Sequence, residues 1–107
     1  MRQPHVEILY VDGCPNLEPA RALVERIGAQ LRVEPEIQLV EIADPEEAIE
    51  LRFLGSPTIR VDGRDVEPGA DERRDFVFAC RVYRSEHGFS GQPEEGWIRK
   101  ALAVDSR

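Results

Sequence analysis

The stretch Val6-Glu7-Ile8-Leu9-Tyr10-Val11-Asp12-Gly13-Cys14-Pro15-Asn16 decides how this chain is read. Val6, Ile8 and Tyr10 alternate with Glu7, Leu9 and Val11, so residues 6–11 are expected to form a strand with both faces at least partly covered. After Asn16, Ala20, Leu23, Val24, Ile27 and Leu31 recur at three- and four-residue spacing. That stripe predicts an amphipathic helix with Glu18, Arg21, Glu25 and Arg26 toward solvent, its second half slightly weakened by Gly28. Gly13-Cys14-Pro15 is thus a strand-to-helix turn, with Pro15 in the first helical turn, where its missing N–H is not needed. A thiol placed there faces the unpaired N–H groups of the helix. Their partial positive charge favours the thiolate, which is the form that attacks disulfides and binds soft metals. Asp12 works against this, because its negative charge favours the protonated thiol; it is read otherwise as a proton donor or, more simply, as a cap on the turn.

Further along, Ile37, Leu39, Val40 and Ile42 make residues 36–42 too apolar and β-branched for a surface loop, and predict a second strand. Asp44 is placed as an N-cap, Pro45 at the first helical position, and Glu46 and Glu47 where negative charge suits the dipole. Ala48, Leu51 and Leu54 are expected to carry the buried side of this helix, and Gly55 to end it. Gly55-Ser56-Pro57-Thr58 then opens another apolar stretch, and Pro57 is well suited to a cis bond beside the cysteine. Residues 58–61 and 64–67, joined by Asp62-Gly63, read as a β-hairpin.

The order βαβαββ implies parallel strands across the helical crossovers and antiparallel strands in the hairpin. The expectation is an α/β fold with a mixed four-stranded sheet. Past Pro68-Gly69 the pattern weakens. Asp71 to Asp75 is charged and read as exposed, and Phe76 to Tyr83 is apolar enough to return to the core as either helix or strand. Residues 85–92 read as a glycine-containing loop. A closing helix starts at Pro93, with Trp97, Ile98, Ala101 and Leu102 facing inward.

With 107 residues and 41% hydrophobic content, the chain suits one domain, a core of about 5–68 and an extension of about 69–107. A formal charge of −7 argues against nucleic acid and anionic membrane surfaces as partners. There is no long apolar leader and no membrane-spanning run, which points to a cytoplasmic protein. Two cysteines do not make a secreted disulfide framework; in a reducing compartment they read as reactive, metal-binding or buried. His5 and His87 show no metal-ligand spacing and are read as solvated.

A strand ending at Cys14-Pro15, a helix, a strand, a helix, then Ser56-Pro57-Thr58 leading into a hairpin tipped by Asp62-Gly63 resembles the thioredoxin superfamily, most closely its glutaredoxin branch. The match covers roughly residues 5–68. The resemblance implies a thioredoxin-like fold, Cys14 as attacking cysteine, Pro15 as the proline after it, and Pro57 as the cis-proline. It also implies that Ser56 offers its backbone N–H and C=O to an extended thiol peptide such as glutathione, beside Pro57 and Thr58. Departures accompany the match. Leu17 stands where a dithiol enzyme has its second cysteine, so only monothiol chemistry or resolution by Cys80 remains. Glu67-Pro68-Gly69-Ala70-Asp71 keeps one glycine and an acid of the glutathione-holding element but not its spacing.

Three functions follow for test. The first is a thiol-disulfide oxidoreductase: Cys14 attacks, Ser56, Pro57 and Thr58 align the substrate, and a low-molecular-weight thiol such as glutathione, or Cys80, resolves the mixed disulfide. It uses no bound cofactor and acts on a small-molecule thiol or a protein disulfide. The second is a binding module holding a soft metal, mercury or copper(I), between Cys14 and Cys80. The third is an interaction domain that keeps only the fold and groove. Cys80, flanked by apolar residues, reads either as a buried core cysteine or as the partner of Cys14.

Overall fold

The computed structural model describes residues 3–103; Met1, Arg2 and residues 104–107 of the expected domain lie outside the described residues. The chain runs β1 (His5–Tyr10), α1 (Leu17–Leu31), β2 (Glu36–Glu41), α2 (Pro45–Glu50), β3 (Thr58–Val61), β4 (Arg64–Asp65), a 3-10 turn (Ala70–Glu72), β5 (Tyr83–Ser85), β6 (Gly88–Ser90) and α3 (Glu95–Ala103). Strands β2-β1-β3-β4 form a mixed four-stranded sheet, with β1 parallel to β2 and antiparallel to β3, and β3 antiparallel to β4. Alternation along β1 sends Val6 and Ile8 to one face, where Ala20, Val24 and Ile27 of α1 and Ile98 and Leu102 of α3 bury them. Leu9 goes to the other face, with Ile42, Ala48 and Phe53. The sheet is therefore covered on both sides at the end where β1 stops.

Local chemistry fixes the helix ends. Asp44 accepts from the Glu47 N–H at 2.8 Å and Glu47 accepts from the Ala43 N–H at 2.7 Å, while Pro45 opens the helix. The other end of α2 differs from expectation. It stops at Glu50, Leu51 is exposed, and Leu54 is buried beyond the helix rather than on it. The chain leaves the helix at Arg52, left-handed at φ +55° with its N–H on the Ile49 carbonyl at 3.2 Å, in place of Gly55, and Arg60 of β3 donates to the carbonyls just beyond, of Leu51 at 2.6 Å and Arg52 at 3.1 Å. Gly28 also has a packing reason: a Cβ there would lie 2.8 Å from the Pro35 ring. No helix among the described residues is long and apolar enough to cross a membrane.

The region after β4 departs furthest from the sequence reading. Residues 76–83 form neither a helix nor a core strand. They run as a strap, bent at Phe78-Ala79, in which Val77, Phe78 and Val82 stay exposed and only Arg81 and Tyr83 are buried. The expected loop at 85–92 contains the hairpin β5–β6 instead, turning at Glu86-His87 with Gly88 at φ +105°. Phe76 to Cys80 is an unbroken apolar run, yet Val77 and Phe78 stay exposed, and Arg81, the one charged residue of the strap, goes inside.

Candidate active site

Cys14 lies in the turn between β1 and α1. Its N–H donates to the Val11 carbonyl at 3.1 Å, and Gly13 at φ +80° gives the type II geometry that the closure needs. The helix begins later than expected. Leu17 is its first residue and Asn16 its cap, so Pro15 is an exposed turn residue that precedes the first helical turn. The Cys14 carbonyl accepts from the Leu17 N–H at 3.4 Å, while its half-buried sulfur has no hydrogen bond among the described residues. Asp12 is exposed and makes no side-chain cap; the backbone alone closes the turn. On the far side, Gln92 donates to the Asn16 carbonyl at 3.0 Å, and Gly91 passes so close that a Cβ would sit 2.4 Å from the Asn16 amide.

The Ser56–Pro57 bond is cis. Leu9 pairs with Thr58 in the antiparallel β1–β3 ladder, so Val11, two residues after Leu9, comes beside Ser56, two residues before Thr58, and its N–H donates to the Ser56 hydroxyl at 3.1 Å. Ser56 forms an isolated parallel bridge with Cys80: its N–H donates to the Ala79 carbonyl at 2.8 Å, and its carbonyl accepts from the Arg81 N–H at 2.9 Å. Hydrogen bonds thus link Cys14 to Val11, Val11 to Ser56, and Ser56 to Ala79 and Arg81 on either side of Cys80, at one end of the sheet.

Two expectations are corrected here. Cys80 is exposed and not part of the core. Ser56, Pro57 and Thr58, expected to face substrate, are fully buried, and both backbone hydrogen-bonding groups of Ser56 are used within the chain.

Arg81 holds this arrangement. Its Nη1 donates to Thr58 Oγ1 at 2.9 Å and to Asp65 at 2.8 Å, and its Nη2 donates to Glu67 at 2.6 Å. Thr58 in turn donates to the Gly55 carbonyl at 2.6 Å. The guanidinium lies 4.3 Å from the Tyr83 ring centroid, and the Tyr83 hydroxyl donates to the Pro57 carbonyl. Burial opposes the charge on Arg81, but Tyr83 and the hydrogen-bonded Asp65 and Glu67 outweigh it and raise its pKa above the ordinary value. Burial raises the Tyr83 hydroxyl well above an ordinary tyrosine, so it remains a donor. Such pairs lose about 3–5 kcal/mol when one partner is removed, because the other charge is left buried and alone.

Sequence reasoning missed Arg81, Asp65, Glu67 and Tyr83. A signal was present: one arginine inside an apolar run, and two acids at alternate positions just after the hairpin tip. Among the described residues no three His, Cys, Asp or Glu side chains gather as a metal site. No protein-family model matches the chain, and no curated protein matches it either.

Proposed function

We propose that this is a thioredoxin-like protein whose Cys14 carries out thiol-disulfide exchange, with Cys80 as the second thiol. The observation that carries the reading is the convergence of the Cys14 turn, the cis Ser56–Pro57 bond and Cys80 at the same end of one mixed sheet. The element order strand, helix, strand, helix, hairpin, followed by a closing helix, supports the fold assignment.

In the forward step the Cys14 thiolate attacks one sulfur of a disulfide RSSR. A Cys14–S–S–R bond forms, the S–S bond of RSSR breaks, and RS⁻ leaves. Either a second external thiolate then attacks the R sulfur and restores Cys14, or the Cys80 thiolate attacks the Cys14 sulfur, forming an internal disulfide and releasing the second RS⁻. The internal disulfide is returned to the dithiol by two equivalents of an external monothiol. A direct Cys14–Cys80 bond needs Cα atoms within about 7 Å.

The test is incubation with 2-hydroxyethyl disulfide followed by non-reducing digestion and mass spectrometry. Expected are a 2-hydroxyethylthio mixed disulfide on Cys14 that accumulates in Cys80→Ser, and a peptide joining Cys14 to Cys80 in the unsubstituted chain. A Cys14→Ser protein that exchanges disulfides as fast as the parent would overturn the proposal.

A further inference from the structure

The segment an extended thiol peptide would pair with, Ser56 to Thr58, is covered by the chain itself. Val77 donates to the Phe53 carbonyl at 3.0 Å, Ser56 to Ala79 at 2.8 Å and Arg81 to Ser56 at 2.9 Å, so residues 77–81 lie beside 53–56 as a strap held by three backbone hydrogen bonds and one isolated parallel bridge. This strap is pinned at both ends. The Arg52 guanidinium sits 5.0 Å from the Phe76 ring centroid, and Arg81, 3% exposed, is clamped by Asp65, Glu67 and Thr58. The fit is made by Gly55, where a Cβ would come within 2.8 Å of the Arg81 Cβ. A peptide backbone can pair with Ser56 only by breaking the bonds to Ala79 and Arg81, and the second of these belongs to the residue whose guanidinium is clamped.

We infer that residues 77–81 are a fixed cover over Ser56 and that Cys14 exchanges with small disulfides and thiols, whose contacts end at the Cys14 turn, and not with extended peptides paired to Ser56. This rests on the thiol-exchange reading and names its substrate class. What a small reagent meets is the half-buried Cys14, the exposed Pro15 and the exposed Cys80. The step is the same: RSSR and the Cys14 thiolate give the mixed disulfide and RS⁻, and a second small thiolate R′S⁻ takes the R sulfur as RSSR′ and frees Cys14.

Amide hydrogen exchange of the whole chain tests the strap without relying on any reactivity. The Arg81 N–H is expected to exchange within about threefold of central β1 amides, since a fixed cover opens only with the core. Exchange about a hundredfold faster would mean that the strap opens on its own and would overturn the inference. The substrate class is read in Cys80→Ser by comparing modification of Cys14 by 2-hydroxyethyl disulfide with modification by the mixed disulfide of 2-mercaptoethanol and an extended cysteine peptide. The small reagent is expected to yield its adduct at least tenfold faster than the peptide adduct forms, with Arg81 protection intact in both. Equal rates with loss of Arg81 protection in the peptide adduct overturn the inference. If Cys14 reacts with neither, the exchange reading falls and the substrate class with it, while a protected Arg81 amide still establishes the strap.

Discussion

Ser56 and Cys80 face each other across a parallel bridge in which every hydrogen-bonding group of the Ser56 backbone is satisfied by the neighbours of Cys80. The bridge joins a segment next to the strand of the candidate nucleophile to one that follows the hairpin in the chain. Its stability sets how the site presents itself.

Gly55 is where that contact is tightest. It has φ +116°, and a Cβ would collide with Arg81, whereas Gly63 at φ +86° has open space around it. Gly63→Ala is expected to lose about 1 kcal/mol through backbone strain alone, and Gly55→Ala about 2–4 kcal/mol because strain and overlap add. Urea midpoints of the two variants check the difference; equal losses would show that the strap gives way without cost.

Arg81→Met should lower stability by about 3–5 kcal/mol, since Asp65 and Glu67 are left mostly buried without their counter-charge. Their side chains are 10% and 19% exposed, too little for water to replace the guanidinium. Adding Asp65→Asn to Arg81→Met should cost less than Asp65→Asn alone, with a coupling of at least about 1 kcal/mol in a double-mutant cycle by urea denaturation. Arg81→Lys should recover only part of the loss, because an ammonium does not reproduce the fork that spans two carboxylates and Thr58.

Tyr83 makes the fold sensitive to alkali. Burial raises its folded pKa above the ordinary value, so the folded state holds a proton that the unfolded state has already released. The stability linked to this group is complete below about pH 10 and falls above it, by up to about 1.4 kcal/mol per pH unit. Tyr83→Phe should flatten that fall between pH 10 and 11.5 while lowering stability at pH 7 by about 1–3 kcal/mol, because the Pro57 carbonyl loses its donor. Denaturation curves across this range decide it; an unchanged slope in Tyr83→Phe would assign the alkaline loss to other groups.

Asp44→Ala should lower stability by about 1 kcal/mol, since the Asp44 carboxylate accepts from the Glu47 N–H at 2.8 Å and the helix it starts has only six residues. A urea midpoint indistinguishable from that of the parent would mean that Glu47 and Pro45 hold the helix start without it.

Strand β1, helix α1, strand β2, the start of α2 and the β3–β4 turn were legible in the chain because each rests on a local cause. Val6 and Ile8 alternate, Ala20, Val24 and Ile27 repeat on a helical face, and Asp44-Pro45 and Asp62-Gly63 are chemical signals a few residues long. The mixed sheet follows from their order. Tertiary structure alone decided the fate of residues 76–83, the exposure of Cys80 and the burial of Ser56, Pro57 and Thr58. The apolar run around Cys80 reads as core, yet Val77, Phe78 and Val82 remain in solvent while its one arginine goes inside. Burying a guanidinium requires compensating charge, and here that charge comes from Asp65 and Glu67, brought to Arg81 only once the hairpin has folded back on the sheet. Periodicity reports on which residues prefer to leave water, and it carries no information about two carboxylates elsewhere in the chain that make burial of an arginine favourable.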